Sequence, residues 1–306
     1  MFSGGLDSIL AVKILRAQDV DATPVCFESH FFSGGKARQA AAAAGLDLRV
    51  EDISKLHLAV VKNPRYGRGA GMNPCIDCRL LMLKTAGEIM EKEGFDFVAT
   101  GEVVGQRPMS QTRQSLETID RQSGLAGKIL RPLSAKLLPP TEAEIKGLVD
   151  RDKLYDLSGR SRKGQLTLAK IFGIENIPQP GGGCILTDPE YARRLKKLMA
   201  NHPDFDGADA RLLRHGRAVW QKDLLAVIAR NQEECQNLKA MGRAGDWLFE
   251  PQNFPGPVVL IRSFGKKNGQ GETLADSDRI KKMGQDFVRQ YSKKVPSHPD
   301  ILINDK

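Results

Sequence analysis

The six residues Ser3-Gly4-Gly5-Leu6-Asp7-Ser8 constrain this 306-residue chain more than any other stretch. Two adjacent glycines after a serine let the backbone turn tightly, so that successive amides point into one concavity. The apolar residues Leu6, Ile9, Leu10, Val12, Ile14 and Leu15 recur at helical spacing and predict a helix with Gly4-Gly5 at its mouth. A nest of amides at a helix N-terminus holds anions, phosphate above all. No Gly-Lys-Ser/Thr follows at the spacing of a Walker loop, so that mode is excluded. The competing reading is a glycine turn that merely caps a helix, and Asp7 and Ser8 at this spacing argue against it.

Behind this loop, short apolar strands alternate with helical patterns. Strands are expected at Thr23 to Phe27, Leu46 to Val50, Phe95 to Thr100 and Ile129 to Leu133. Helices are expected near Leu6 to Ala17, Lys36 to Ala44, Arg79 to Glu93 and Glu142 to Val149. The alternation predicts an α/β fold with a doubly wound, mostly parallel sheet and ligands at the carboxyl ends of its strands. After about Asn201 the pattern changes to short strands (Leu212 to Trp220, Leu224 to Ala229, Trp247 to Glu250, Val258 to Ser263) with helices near Glu233 to Met241 and Asp276 to Tyr291. The expectation is therefore a first domain over 1–200 and a smaller α+β domain over 201–306, with a flexible tail from Ser292. No apolar run is long enough to span a membrane, and no signal peptide precedes the loop, so the expected compartment is the cytoplasm.

Five cysteines in a reducing compartment should be free, catalytic or metal-bound. Asn73-Pro74-Cys75-Ile76-Asp77-Cys78 places two thiols at the start of a helix, beside amides that favour thiolates. Far along the chain, Gln179-Pro180-Gly181-Gly182-Gly183-Cys184 lets backbone come very near whatever Cys184 touches. Three readings compete: buried structural cysteines, a redox or persulfide-carrying pair with a partner, and a metal site with three thiolates. The last is favoured. With no fourth ligand in view, three thiols suit a [4Fe–4S] cluster with one iron left open better than a structural zinc.

Ser-Gly-Gly-Leu-Asp-Ser resembles the PP-loop of the ATP pyrophosphatase superfamily, and with Asn-Pro-Cys-x-x-Cys and the later Cys184 the chain resembles the tRNA thiouridine synthetases. The resemblance implies ATP cleavage to AMP and pyrophosphate, with Ser3, Gly4, Gly5, Asp7 and Ser8 on the phosphates and Mg²⁺ beside Asp7. It also implies that Phe27, closing its strand before Glu28-Ser29-His30, and Gly101 in Thr100-Gly101-Glu102 border the nucleotide. In the cluster-dependent branch of that family Cys75, Cys78 and Cys184 hold the cluster. In the cluster-free branch one of Cys75 or Cys78 pairs with Cys184 around a persulfide. The implied activity is adenylation of a tRNA uridine carbonyl followed by sulfur transfer, from sulfide or a persulfide carrier protein. An amide-forming adenylating ligase and a non-catalytic RNA-binding factor are the alternatives. A PP-loop should also follow a buried strand. Only Met1 and Phe2 precede Ser3, so the expectation is a start lying upstream.

The net charge of +9 and pI near 9.3 favour a polyanionic partner, with RNA the first candidate. Most of the excess lies beyond Tyr191. Arg160, Arg162 and Lys163 form a basic cluster between the cysteines, and Arg131 and Lys136 are candidates to reach the nucleotide. Arg230-Asn231-Gln232-Glu233-Glu234, Gly245-Asp246-Trp247 and Phe254-Pro255-Gly256-Pro257 resemble the RNA-binding module of NFACT proteins. That resemblance implies RNA contacts from the cations there, among them Arg211, Arg214, Arg217, Arg262, Lys266 and Lys267. Trp220 and Trp247 are expected to pack rather than stack on bases.

Overall fold

The computed structural model describes residues 1–179, 184–265 and 277–305. It divides into two compact units, Met1–Asp188 and Pro189–Lys306. The helix that follows Asp188 thus falls in the second unit, twelve or so positions before the expected boundary. Among the described residues no helix is long and apolar enough to cross a membrane.

In the first unit the order is α1 (Leu6–Arg16), β1 (Val25–Glu28), α2 (Gly35–Ala43), β2 (Arg49–Asp52), α3 (Ser54–Lys62), α4 (Cys75–Glu93), β3 (Val98–Ala99), α5 (Arg113–Ser123), β4 (Ile129–Leu130), α6 (Glu142–Ile145) and α7 (Lys163–Ile171). The strands pair in parallel, β1 with β2 and β3 with β4. The expected continuous sheet is thus present as two small parallel pairs, with strands shorter than their apolar runs. Between the pairs stand Met1 and Phe2. The Met1 nitrogen donates to Ala99 O at 2.6 Å, and Phe2 N donates to Val25 O at 2.7 Å. Two residues thereby tie β1 to β3 and carry the glycine loop at the carboxyl end of the strands.

Side chains alternate across β1 as a strand requires. Cys26 points into a cluster with Phe2, with Ile9 from α1 and with Ala37 and Ala41 from α2. Phe27 points the other way, into a cluster with Ile53, Leu83, Met90, Val98 and Ile119, where α4 and α5 pack. The inner face of α1 (Leu6, Leu10, Ile14) closes a third cluster with Leu130, Leu133, Leu154 and Leu168. With α1 buried on two sides, the loop at its mouth is held by the core. Helix α4 begins at Cys75, four residues ahead of the expected start, and stops at Gly94, whose φ of +73° is the left-handed cap that glycine favours.

The second unit comprises α8 (Pro189–Asn201), α9 (Gly207–Leu212), β5 (Arg217–Gln221), β6 (Leu224–Ile228), α10 (Gln232–Met241), β7 (Asp246–Pro251), β8 (Val259–Ser263), α11 (Ser277–Gln290) and β9 (Ile301–Asp305). Its antiparallel sheet runs β5-β6-β8-β7-β9. Two expectations fail here. The run from Leu212 is not one strand: a capping box from Asp206 and Asp209 fixes α9 through Leu212, and Gly216 at φ +55° turns the chain into β5. The tail expected to be flexible ends in β9, where Ile301 and Ile303 alternate onto the apolar cluster beneath α11. A flexible segment lacks that alternation.

Arg262 is 2% exposed, and its guanidinium holds Asp246 at 2.6 Å and Asp209 at 3.0 Å. It is a buried structural cation and is not available to RNA.

Candidate functional site

The glycine loop is folded on its own second serine. Ser8 Oγ donates to Gly5 O at 2.8 Å and accepts from Ser3 N at 3.2 Å. Gly5 takes the N-cap position of α1 in extended conformation, with no side chain capping the helix. The first amides of α1 are therefore uncapped by any side chain, as an anion site requires. Gly4 sits at φ +72°, where a Cβ would stand 2.8 Å from Ala37 Cα at the start of α2. Gly101 approaches from the other side: a Cβ there would lie 2.6 Å from the Asp7 carbonyl carbon and from Ser8 N. The loop is clasped between two backbones.

Asp7 Oδ2 accepts from Gln106 Nε2 at 3.1 Å, a long-range contact that the sequence did not reveal. Asp7 Oδ1 is buried and has no hydrogen-bond partner among the described residues. An orphaned carboxylate oxygen beside an amide nest fits a divalent cation shared with a bound triphosphate. Phe27 does not offer its side chain to this site, since it lies 6% exposed in the core. Past it, Glu28 accepts from Gly34 N at 2.7 Å and pairs with Arg38.

The second half of the site is built on a loop that docks onto the Cys184 turn. Asp77 accepts from Arg65 N and Tyr66 N, both at 3.0 Å, and Gly69 N donates to Asn73 O at 2.9 Å. Met72 N donates to Leu186 O at 2.8 Å, and a side chain at Gly71 would overlap that same carbonyl. This glycine therefore serves close approach, not flexibility. Asn73 Nδ2 donates to Cys75 Sγ at 3.0 Å, and Cys184 caps the short turn Ile185–Thr187. Burial pushes the Cys78 thiol up to about 12; Arg79 opposes the shift, and Cys184 and Cys75 add to it. Burial likewise raises Cys184, opposed by the Leu186 amide and reinforced by Cys75. The three thiols thus share one field. The glycines at 181–183 lie outside the described residues.

Among the described residues no group of three His, Cys, Asp or Glu side chains is placed to hold a metal ion. Cysteine thiolates are the donor type that iron–sulfur clusters take.

Arg79 connects the two halves. Its Nε lies 3.4 Å from Glu102 Oε1, while Glu102 follows Gly101 and Arg79 follows Cys78. Glu102 is 2% exposed; burial works to raise its pKa, but Arg79 and Arg131 outweigh it and hold the carboxyl below its ordinary value. Arg131, expected at the nucleotide, is itself 2% exposed and bound to Glu102 (3.0 Å) and Asp120 (2.6 Å). Lys136 is exposed and donates to Asp152 O.

Near the end of β1, His57 lies 1% exposed, its Nδ1 3.0 Å from Ser29 Oγ and its Nε2 unpartnered among the described residues. Burial, aided by His30, pushes its pKa down to about 4 from the ordinary 6.5. The unfolded chain takes up this proton first, so the stability tied to neutral His57 is complete above pH 6.5 and drains as pH falls toward 4. The loss should reach about 2 kcal/mol by pH 5. In thermal melts between pH 7 and pH 5, His57→Gln should flatten that fall.

Of the basic candidates, Arg160 and Lys163 are exposed, and Arg162 is half-buried with Nη2 3.3 Å from Pro178 O. Arg214 and Arg217 are exposed in the second unit, with Arg217 5.0 Å over the Tyr291 ring. Lys266 and Lys267 lie outside the described residues.

No curated protein matches the chain. Residues 1–137, which carry the glycine loop, Cys75, Cys78, Gly101 and Arg131, match the family model described as thiamine biosynthesis protein (ThiI), while Cys184 and the second unit lie beyond the match.

Proposed function

We propose that the chain is an ATP-dependent tRNA thiolating enzyme of the reducing cytoplasm. The observation that supports this reading is the Cys78-Arg79···Glu102-Gly101 connection, which links the Cys-x-x-Cys helix to the glycine that backs the phosphate nest. The uridine carbonyl oxygen attacks the α-phosphorus of ATP and pyrophosphate leaves into the Ser3–Ser8 amides. Asp7, with Mg²⁺, orients and neutralises the phosphates. The carbonyl oxygen has then become part of a phosphate ester, so sulfur adds at that carbon and AMP departs. Cys75, Cys78 and Cys184 hold the sulfur-bearing group. A [4Fe–4S] cluster on them would supply an open iron for sulfide. In the metal-free version a persulfide received from a carrier protein gives its outer sulfur to the uridine carbon as a second cysteine closes a disulfide, which an external thiol then reduces. Sulfide or a persulfide carrier protein supplies the sulfur. Arg160, Arg162, Lys163, Arg214 and Arg217 would contact RNA phosphates, joined by Lys266 and Lys267. The description of the matching family favours a second destination for the same sulfur, thiamine biosynthesis.

Anaerobically purified protein, ATP, sulfide and an unmodified tRNA transcript should yield AMP and thiolated uridine in equal amounts. AMP formation untouched by Cys75→Ala, with no sulfur in the RNA, would instead point to an amide-forming ligase. RNA binding with no AMP would leave a non-catalytic factor.

A further inference from the structure

Three rings gather at the edge of the second unit's sheet. His202, just beyond α8, lies nearly parallel to Phe264 (centroids 4.5 Å apart, 21°) and to Trp220 (5.4 Å, 19°), and Trp220 and Phe264 are 5.6 Å apart. All three are half-exposed. They are not part of the sheet's apolar cluster: Val219, one residue before Trp220, packs there, and alternation sends the indole to the opposite face. Strand β5 is the sheet's edge, paired with β6 alone among the described residues. Trp220 Nε1 and His202 Nε2 find no hydrogen-bond partner among the described residues, so polar bonds of the fold do not account for the stack.

One cation stands over the stack, and others are exposed on the same elements. Lys197 Nζ stands 6.0 Å over the indole, and Lys222 is exposed in the turn between β5 and β6. Arg193 and Lys196 are further exposed cations of α8. Asp223 and Asp209 are nearby acids, both raising His202 against the burial that lowers it. A half-exposed aromatic stack with a lysine over its indole suits a ligand with flat faces and negative charge, and single-stranded nucleic acid has both.

We propose that Trp220, His202 and Phe264 form a stacking platform for an unpaired nucleobase of RNA, with Lys197 and Lys222 on the flanking phosphates. The proposal rests on the RNA-acting reading above and gives the second unit its specific part in it. A base seated on the indole would take the place over the ring that Lys197 now holds, moving that ammonium toward phosphate.

Full-length Trp247→Phe protein leaves Trp220 as its sole tryptophan. Titration with a uridine dodecamer should quench that emission, and inorganic polyphosphate of equal charge should not. His202→Ala and Trp220→Ala should weaken dodecamer binding about 5- to 100-fold, the range for losing one stacked base. His202→Phe, which keeps a ring, should restore most of it. Equal quenching by polyphosphate, or RNA binding with unchanged Trp220 emission, would overturn the platform. Because ATP is absent, the outcome is separate from thiolation. Quenching without thiolated product leaves the platform standing and rejects the enzyme reading; product without quenching does the reverse.

Discussion

Gly101→Ala should lower AMP formation by at least about 100-fold and destabilise the first unit by roughly 1–3 kcal/mol. One methyl group has this effect because of where it would go. The added carbon would lie 2.6 Å from Asp7 C and O and from Ser8 N, and all three atoms are backbone at the start of α1. Such atoms cannot rotate aside as a side chain would. Either Gly101 withdraws, taking Glu102 from Arg79 and Arg131, or α1 shifts and its first amides lose their common focus. A displacement near 1 Å at a phosphate site costs about two orders of magnitude in rate. Gly94→Ala is the control for destabilisation away from the nest. Gly94, unlike Gly101, carries a positive φ (+73°), and nothing lies within 4 Å of a Cβ there. That variant should lose about 1–2 kcal/mol from left-handed strain alone and keep its rate. ATP turnover and thermal melts on both variants measure the difference. Equal activity losses would show that general destabilisation, not the nest, explains Gly101.

The sequence made the local features legible and left the long-range ones hidden. Ser-Gly-Gly before an apolar helical run announces an amide nest, because turn and helix are written in consecutive residues. Cys-x-x-Cys at a helix start is equally local, though α4 begins four residues before the apolar pattern does. Arg131 and Arg262 are different. In sequence each is one more solvated cation, and nothing nearby marks the carboxylates that bury them. Arg131's partners Glu102 and Asp120 come from separate elements, as do Asp209 and Asp246 for Arg262. Burial of such ions costs several kcal/mol unless partners are aligned, which only the tertiary fold decides.

Gly71 shows the same limit. Its place in a Gly-rich stretch suggests flexibility, yet its backbone meets Leu186 across more than a hundred residues. Met1 and Phe2 look too short for a strand, and two hydrogen bonds suffice for them to occupy its position between β1 and β3. The tail misled for a related reason. Two prolines and two lysines before Ile301 resemble a disordered end, and the I-L-I alternation acquires meaning only beside the free edge of β7.

Cys184→Ser should leave AMP formation within a few-fold of the parent while reducing sulfur incorporation into RNA by roughly three orders of magnitude or more, the scale for removing a group that acts directly in the chemistry. The replacement is nearly isosteric, and the local structure should keep it. Cys184 occupies the N-cap of the Ile185–Thr187 turn, a position where serine is among the preferred residues. The Met72 N to Leu186 O bond that docks the cysteine loop uses backbone and stays. What is lost is the sulfur. A hydroxyl neither carries a sulfane sulfur nor matches the soft donor an iron–sulfur cluster takes. Iron bound by anaerobically purified parent protein should therefore fall with the variant, and if the parent is active without iron, the persulfide version stands. Cys235→Ser, on α10 of the second unit, should alter neither product. Thiolation surviving in Cys184→Ser would remove this residue from the sulfur path and leave Cys75 and Cys78 to act as a pair. Loss of AMP formation together with thiolation would mean that the turn at 184 supports the nucleotide nest, so that Arg79 and Glu102 transmit its position across the site.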